Sequence, residues 1–136
     1  VSQDAVPGAG TTALRVVIAI LLIGESLLTG TWIAARLPVL AAYPITVVGL
    51  VVVRGLVGAW QFAGGYVLLV RRGHPAGAEL AAWSLIASAV LLTIELGAEL
   101  SPSSLFPSYR WPVIGAYWAY AIAAWWWIRR RAASPR

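Results

Sequence analysis

The sequence has no cysteine, no lysine, a single histidine and few charges of either sign. The missing cysteine excludes disulfides, thiolate metal sites and thiol nucleophiles. The histidine, His74, lies in a short Arg-Arg-Gly-His-Pro stretch and not inside an apolar run. A haem held within a membrane by this chain alone would therefore lack an axial ligand. There is also no Ser-His pair, no His-rich metal set and no Gly-rich phosphate loop of the kind that carries enzyme chemistry. Gly55-x-x-Gly58 and Gly64-Gly65 lie in the middle of an apolar run, where a nucleotide motif would have no strand before it and no open helix start. These absences lead to the expectation of a non-catalytic chain without a cofactor.

What remains is strongly apolar. Of the 136 residues, 60% are hydrophobic and 11% charged, where a soluble domain carries roughly a quarter charged residues. A soluble core of this composition would have too little polar surface to cover it. The length suits one domain. The net charge is +5 and all ten basic residues are arginine. They stand singly or in pairs at the ends of apolar runs, with one cluster near the C-terminus, so the basic balance points to a membrane and not to nucleic acid.

A helix needs about 20 mainly apolar residues to cross the hydrocarbon layer. Residues 13–35, 45–70, 79–100 and 111–128 are read as such spans, separated by short connections at 36–44, 71–78 and 101–110 that each contain proline or glycine. The expected domain is thus 13–131, flanked by a polar N-terminal tail, 1–12, and a polar C-terminal tail, 132–136. The N-terminal stretch has no basic cluster and no small-residue cleavage site, so the first span is expected to be retained. Short connections make sequential helices antiparallel neighbours. The N-terminal flank, second connection and C-terminal tail carry Arg15, Arg71, Arg72, Arg129, Arg130, Arg131 and Arg136, against Arg36 and Arg110 in the other two. The positive-inside rule then places both termini in the cytoplasm. The expected fold is an all-α, antiparallel four-transmembrane-helix bundle in a membrane of the bacterial inner type.

Aromatic residues agree with that orientation. Trp111 would mark the outer end of the fourth span, while Trp125, Trp126 and Trp127, beside Arg129, Arg130 and Arg131, would form an inner interfacial belt that contacts lipid.

The most informative residues are charges inside the spans. Glu25, Arg54, Glu95 and, nearer the outer edge, Glu99 are read as membrane-embedded. An unpaired charge at the bilayer centre costs at least about 2.5–3.5 kcal/mol, so such groups turn inward and pair. Helical spacing gives each of three spans one polar face: Glu25, Thr29, Trp32 and Arg36 on the first; Arg54, Gly58, Gln61 and Gly65 on the second; Ser84, Ser88, Glu95 and Glu99 on the third. The fourth span carries Gly115, Ala119 and Ala123 at intervals of four, a ridge expected to pack within the bundle, and brings Tyr117 and Tyr120 as hydroxyl donors.

Two functions follow. In the first, Arg54 pairs with Glu95, alone or together with Glu25, to fix helix packing in a small membrane subunit or assembly factor that meets a partner subunit or a second copy. In the second, the excess of acids leaves a carboxyl free to take a proton or a cationic or amine-bearing ligand, as in a small proton-coupled transporter; Glu25, Arg54, Gln61, Glu95, Glu99, Tyr117 and Tyr120 are its candidate residues.

A first-span glutamate resembles that of the small multidrug resistance transporters, but the chain is longer and their fourth-helix pattern is missing. The Gly-rich stretch ending in Arg-Tyr of fluoride channels is absent too. The stretch Gly58-Ala59-Trp60-Gln61-Phe62-Ala63-Gly64-Gly65 and the four-helix plan resemble DoxX-like proteins, with Gln61 where a carboxylate would be sought. No residue role is carried over from any of the three.

Overall fold

The structure is a computed structural model that describes residues 9–70, 75–97 and 110–132. Apart from Tyr43 and Pro44, these residues are helical. Four long helices follow in order: α1, Ala9–Arg36; α2, Ile45–Val70; α3, Pro75–Gly97; and α4, Arg110–Trp127. Three stretches are long and apolar enough to cross a membrane, Thr12–Ala42, Ile45–Val70 and Ala76–Gly97. The fourth expected span does not join them on apolarity. Its 18 residues include four tryptophans besides Trp111, two tyrosines and the starting Arg110, and amphipathic rings lower the mean hydropathy without making a helix water-seeking.

The helix limits differ from the sequence reading in ways that local chemistry explains. Residues 37–42 continue α1 as a 3-10 helix, Leu37–Ala42, with Pro38 in its first turn. Proline fits there because a first-turn residue needs no intrahelical N–H bond. The run ends at Tyr43, whose N–H donates to Leu40 O at 3.1 Å and whose backbone is extended, as the residue before Pro44 must be. Pro44 O then accepts from Val47 and Val48 to start α2. Helix α3 begins a turn earlier than expected, on Pro75, again a first-turn proline. Past Trp127 the chain widens into a π-helical turn, Ile128–Ala132. Residues 98–109 and 71–74, and with them Glu99, His74, most of the expected connection 101–110 and half of 71–78, lie outside the described residues.

Sequential helices pack together, α1 on α2, α2 on α3 and α3 on α4, and the π-helical turn reaches both α3 and α1. The core is made of small side chains. Ala19, Ala78, Ala81, Ala82, Ala89, Ala121 and Ala124 are buried together with Leu22, Leu85 and Ile128. The large apolar side chains point outward: Leu28 is 73% exposed, Leu56 68% and Ile45 82%. A water-soluble fold would reverse this, because burying large apolar groups is what stabilises it. Membrane helices lack that incentive, and close packing of small residues is the force between them.

Glycines permit the closest approaches. A Cβ on Gly64 would lie 2.7 Å from Ala81 Cα, and one on Gly65 2.9 Å from Ala19 O and 2.9 Å from Ile23 Cγ1. Adjacent residues on α2 thus meet opposite neighbours, so this pair is a packing device. Two turns away, a Cβ on Gly58 would lie 3.3 Å from Thr29 Cγ2. The hydroxyls buried between helices partly satisfy themselves: Ser26 donates to Ile23 O, Ser84 to Ala81 O and Thr93 to Ala89 O, at 2.7–2.8 Å. Bonding back to the preceding turn is how Ser and Thr remain tolerable inside an apolar helix pair.

One expectation fails. The ridge of Gly115, Ala119 and Ala123 does not pack within the helix assembly; all three are exposed, and Gly115 has open space where a Cβ would stand. Helix α4 instead buries Ile114, Ala121, Ala124 and, in the turn beyond it, Ile128, because it also has to turn Tyr117 and Trp118 toward α1 and α3.

Candidate functional site

The embedded charges separate into two centres. In the first, Arg54 of α2 donates from Nε to Glu95 Oε1 of α3 at 2.5 Å. Both side chains are largely buried, at 15% and 11% exposed. Gly58 and Gly65, one and three turns along the same face, let α1 close against α2, while the pair itself lies between α2 and α3. Arg54 is therefore committed to Glu95, and the expected wider network that would include Glu25 does not form.

The second centre joins three helices. Glu25 of α1 receives two hydroxyls, from α3 and α4. Tyr117 Oη lies 2.5 Å from Oε1 and 2.9 Å from Oε2, and Ser88 Oγ lies 3.0 Å from Oε1. The two hydroxyls are themselves 2.9 Å apart, so the four oxygens form one cluster. Ser88 is buried, while Glu25 and Tyr117 are half-buried. The inward face of α1 runs through Ile18, Leu22, Ser26 and Thr29, which leaves Glu25 on the flank that turns toward α4. That flank matters, because α1 and α4 are not closed against each other along their whole length.

Between them lie two grooves that share Leu21 and Tyr120. One, of about 760 Å³, is lined by Ile20, Gly24, Glu25, Leu27, Leu28 and Thr31 as well as the shared pair. The other, of about 640 Å³, runs toward Trp125, Trp126 and Trp127 and is apolar throughout. Tyr120 stacks edge-to-face on Tyr117, 5.7 Å between centroids, and its hydroxyl is buried without a hydrogen-bond partner. Glu25 thus faces a lateral opening with an unused phenol beside it. The centre can hold a proton or accept a hydrogen bond from a cation or amine that arrives from the side.

Gln61 is 1% exposed, and its Nε2 has no partner. It lies on α2 between the levels of Gly58 and Gly65, where both neighbouring helices come close. Such an unsatisfied amide costs about 1–3 kcal/mol. Of the other candidates, Glu99 and the side chain of Arg131 fall outside the described residues.

At the opposite end, the aromatic and basic residues form a clamp. Arg129 Nε donates to Glu79 Oε1 at 2.9 Å, Trp83 Nε1 donates to Glu79 Oε2 at 2.8 Å, and Trp83 packs edge-to-face on Trp125 at 5.6 Å. The Arg129 guanidinium lies over the Trp125 ring at 5.1 Å and that of Arg130 over Trp126 at 5.2 Å. With both ends of the Arg129–Glu79 pair over 40% exposed, it adds no more than about 1 kcal/mol. Its effect is to place the end of α4 beside the start of α3. Trp111 is exposed at the far end, near Gly97.

Sequence reasoning missed Glu79, whose partner Trp83 stands four residues on, a spacing that was available to read. It also missed Trp118, whose Nε1 donates to Thr93 Oγ1 at 2.6 Å, and Trp60, which donates to Leu80 O at 2.8 Å. Nothing in the local pattern announces either bond, since each crosses between helices.

No protein-family model matches the chain, nor does any curated protein or solved structure. The reading of function therefore rests on the helices and the two polar centres.

Proposed function

We propose that this chain is a small non-catalytic membrane protein, a subunit or assembly factor that packs against a partner in the bilayer of a bacterial inner membrane. Its helices would form an antiparallel transmembrane bundle with both termini in the cytoplasm. The observation that carries this is the exposed ridge of Gly115, Ala119 and Ala123, since small residues at intervals of four allow another helix to approach closely. The polar centres support it. Arg54–Glu95 ties α2 to α3, and Glu25 with Ser88 and Tyr117 ties α1, α3 and α4, so the embedded charges serve to hold the helices in register.

Membrane insertion is checked by extraction of isolated membranes at high pH, where the chain is expected in the pellet. Purification in mild detergent should then yield a stoichiometric complex with a partner subunit or a second copy. Ala119→Leu is expected to remove that association while leaving the thermal midpoint of the single chain within 2–4 °C, the shift that about 1 kcal/mol gives in a chain of this size. A chain that stays alone, or an association indifferent to Ala119→Leu, would sink the subunit reading.

A second reading is favoured by the opening beside Glu25. There the chain is a small proton-coupled transporter or an amine-binding membrane protein, with Glu25 as the binding carboxyl and Tyr117 and Tyr120 beside it. Arg54 and Glu95 then act as a structural pair. Glu25→Gln separates the two: it keeps one acceptor oxygen for Tyr117 and Ser88, so a scaffold tolerates it, whereas pH-dependent uptake of a lipophilic amine into proteoliposomes would be lost.

A further inference from the structure

The apolar groove between α1 and α4 has the features of a lipid site. Its walls are Leu14, Val17, Ile18 and Leu21 on one side and Ile122 and Trp126 on the other. Its volume of about 640 Å³ falls within the roughly 300–1,000 Å³ of small-molecule sites. An acyl chain fits such a channel, but so would other apolar groups, and one further observation narrows the choice: the groove ends at a cationic rim. Arg130 is exposed there over Trp126, and Arg129 stands over Trp125.

We infer that the α1–α4 groove binds one anionic glycerophospholipid, with an acyl chain along Val17, Leu21 and Ile122 and the phosphate at Arg130. The site rests on the membrane reading above, and Ala123, part of the α4 ridge, lines it as well.

The test uses the full chain in mild detergent, titrated separately with dioleoylphosphatidylglycerol, dioleoylphosphatidylcholine and glycerol phosphate, and the thermal midpoint is followed. A ligand that binds the folded form raises that midpoint with concentration. Phosphatidylglycerol is expected to raise it at lower concentrations than phosphatidylcholine, and glycerol phosphate, which has no chain for the groove, is expected to do nothing. Arg130→Gln should weaken the phosphatidylglycerol response about fivefold, the effect of about 1 kcal/mol per basic residue near a membrane surface. Val17→Trp alters an exposed position and fills the groove while keeping every arginine, so it should abolish the response. Equal responses to the two lipids would overturn the anionic specificity, and a phosphatidylglycerol response that survives Val17→Trp would mean surface charge alone. Because extraction at high pH reports membrane insertion independently, a failed titration in a membrane-retained chain overturns the lipid site and leaves the membrane reading intact.

Discussion

Gly64→Ala is expected to loosen the contact between α2 and α3 and lower stability by about 1–3 kcal/mol, the usual cost of forcing one extra carbon into a packed interface. The added Cβ would meet Ala81 Cα at 2.7 Å and Ala81 N at 3.1 Å. Those are backbone atoms, so no rotamer change can yield, and the helices themselves must part. Helix propensity acts the other way, since alanine is better than glycine in a helix interior by about 1 kcal/mol. Steric cost has to exceed that gain, and the contact with backbone is the reason to expect that it does. Gly30→Ala and Gly49→Ala supply the control, because neither site has an atom within 4 Å of the new carbon. They should be neutral or stabilising. Thermal midpoints of the three variants in the same detergent decide the matter. If Gly64→Ala melts no lower than Gly30→Ala, the helices are not as close as described.

The second large effect concerns the Arg54–Glu95 pair, nearly three turns away along α2. Arg54→Met should destabilise by about 3–5 kcal/mol, because it leaves the buried Glu95 carboxylate without its cation. Replacing both partners, Arg54→Met with Glu95→Leu, is expected to recover most of that loss, since a buried ion pair contributes little net stability against apolar residues of similar size. The comparison isolates what the pair does. A double variant as stable as the native chain but altered in its helix contacts, as read by cross-linking between α2 and α3, would show that the charges specify register. A double variant worse than Arg54→Met alone would mean that the pair stabilises in its own right.

The helical periodicity of the polar residues was enough to find most of these groups. Arg54, Gly58, Gln61 and Gly65 share a face of α2, and three of them are buried with Arg54 largely so. Ser84, Ser88 and Glu95 are likewise buried on one face of α3. A period of 3.6 residues is a property of the single helix, so it can be read without its neighbours. Which acid takes the arginine is a different kind of question. Glu25 and Glu95 were equally available by depth, and the choice depends on the rotation of α1 about its own axis. That rotation follows from Leu22, Ser26 and Thr29 packing inward and puts Glu25 on the flank, toward Tyr117.

The ridge on α4 shows the same limit from the other side. Its spacing was legible; its direction was not. Small residues can pack against a neighbour or be left open for one, and the sequence pattern is identical in both cases. The direction was decided by Tyr117 and Trp118, which bond across to Glu25 and Thr93 and hold the helix with Gly115, Ala119 and Ala123 outward.

The sequence by itself determined that the chain is helical and which residues form a polar face on three of its helices; of the four spans it suggested, three are long and apolar enough to cross a membrane. Length, hydropathy and periodicity act within one segment, so they need no partner to be read. Only the tertiary structure decided that Arg54 is spent on Glu95, that Glu25 belongs with Ser88 and Tyr117, and that the seam between α1 and α4 stays open. Those outcomes depend on how far each helix is rotated and how closely its neighbours approach, and that is set by contacts such as Gly64 on Ala81, between residues far apart in the chain.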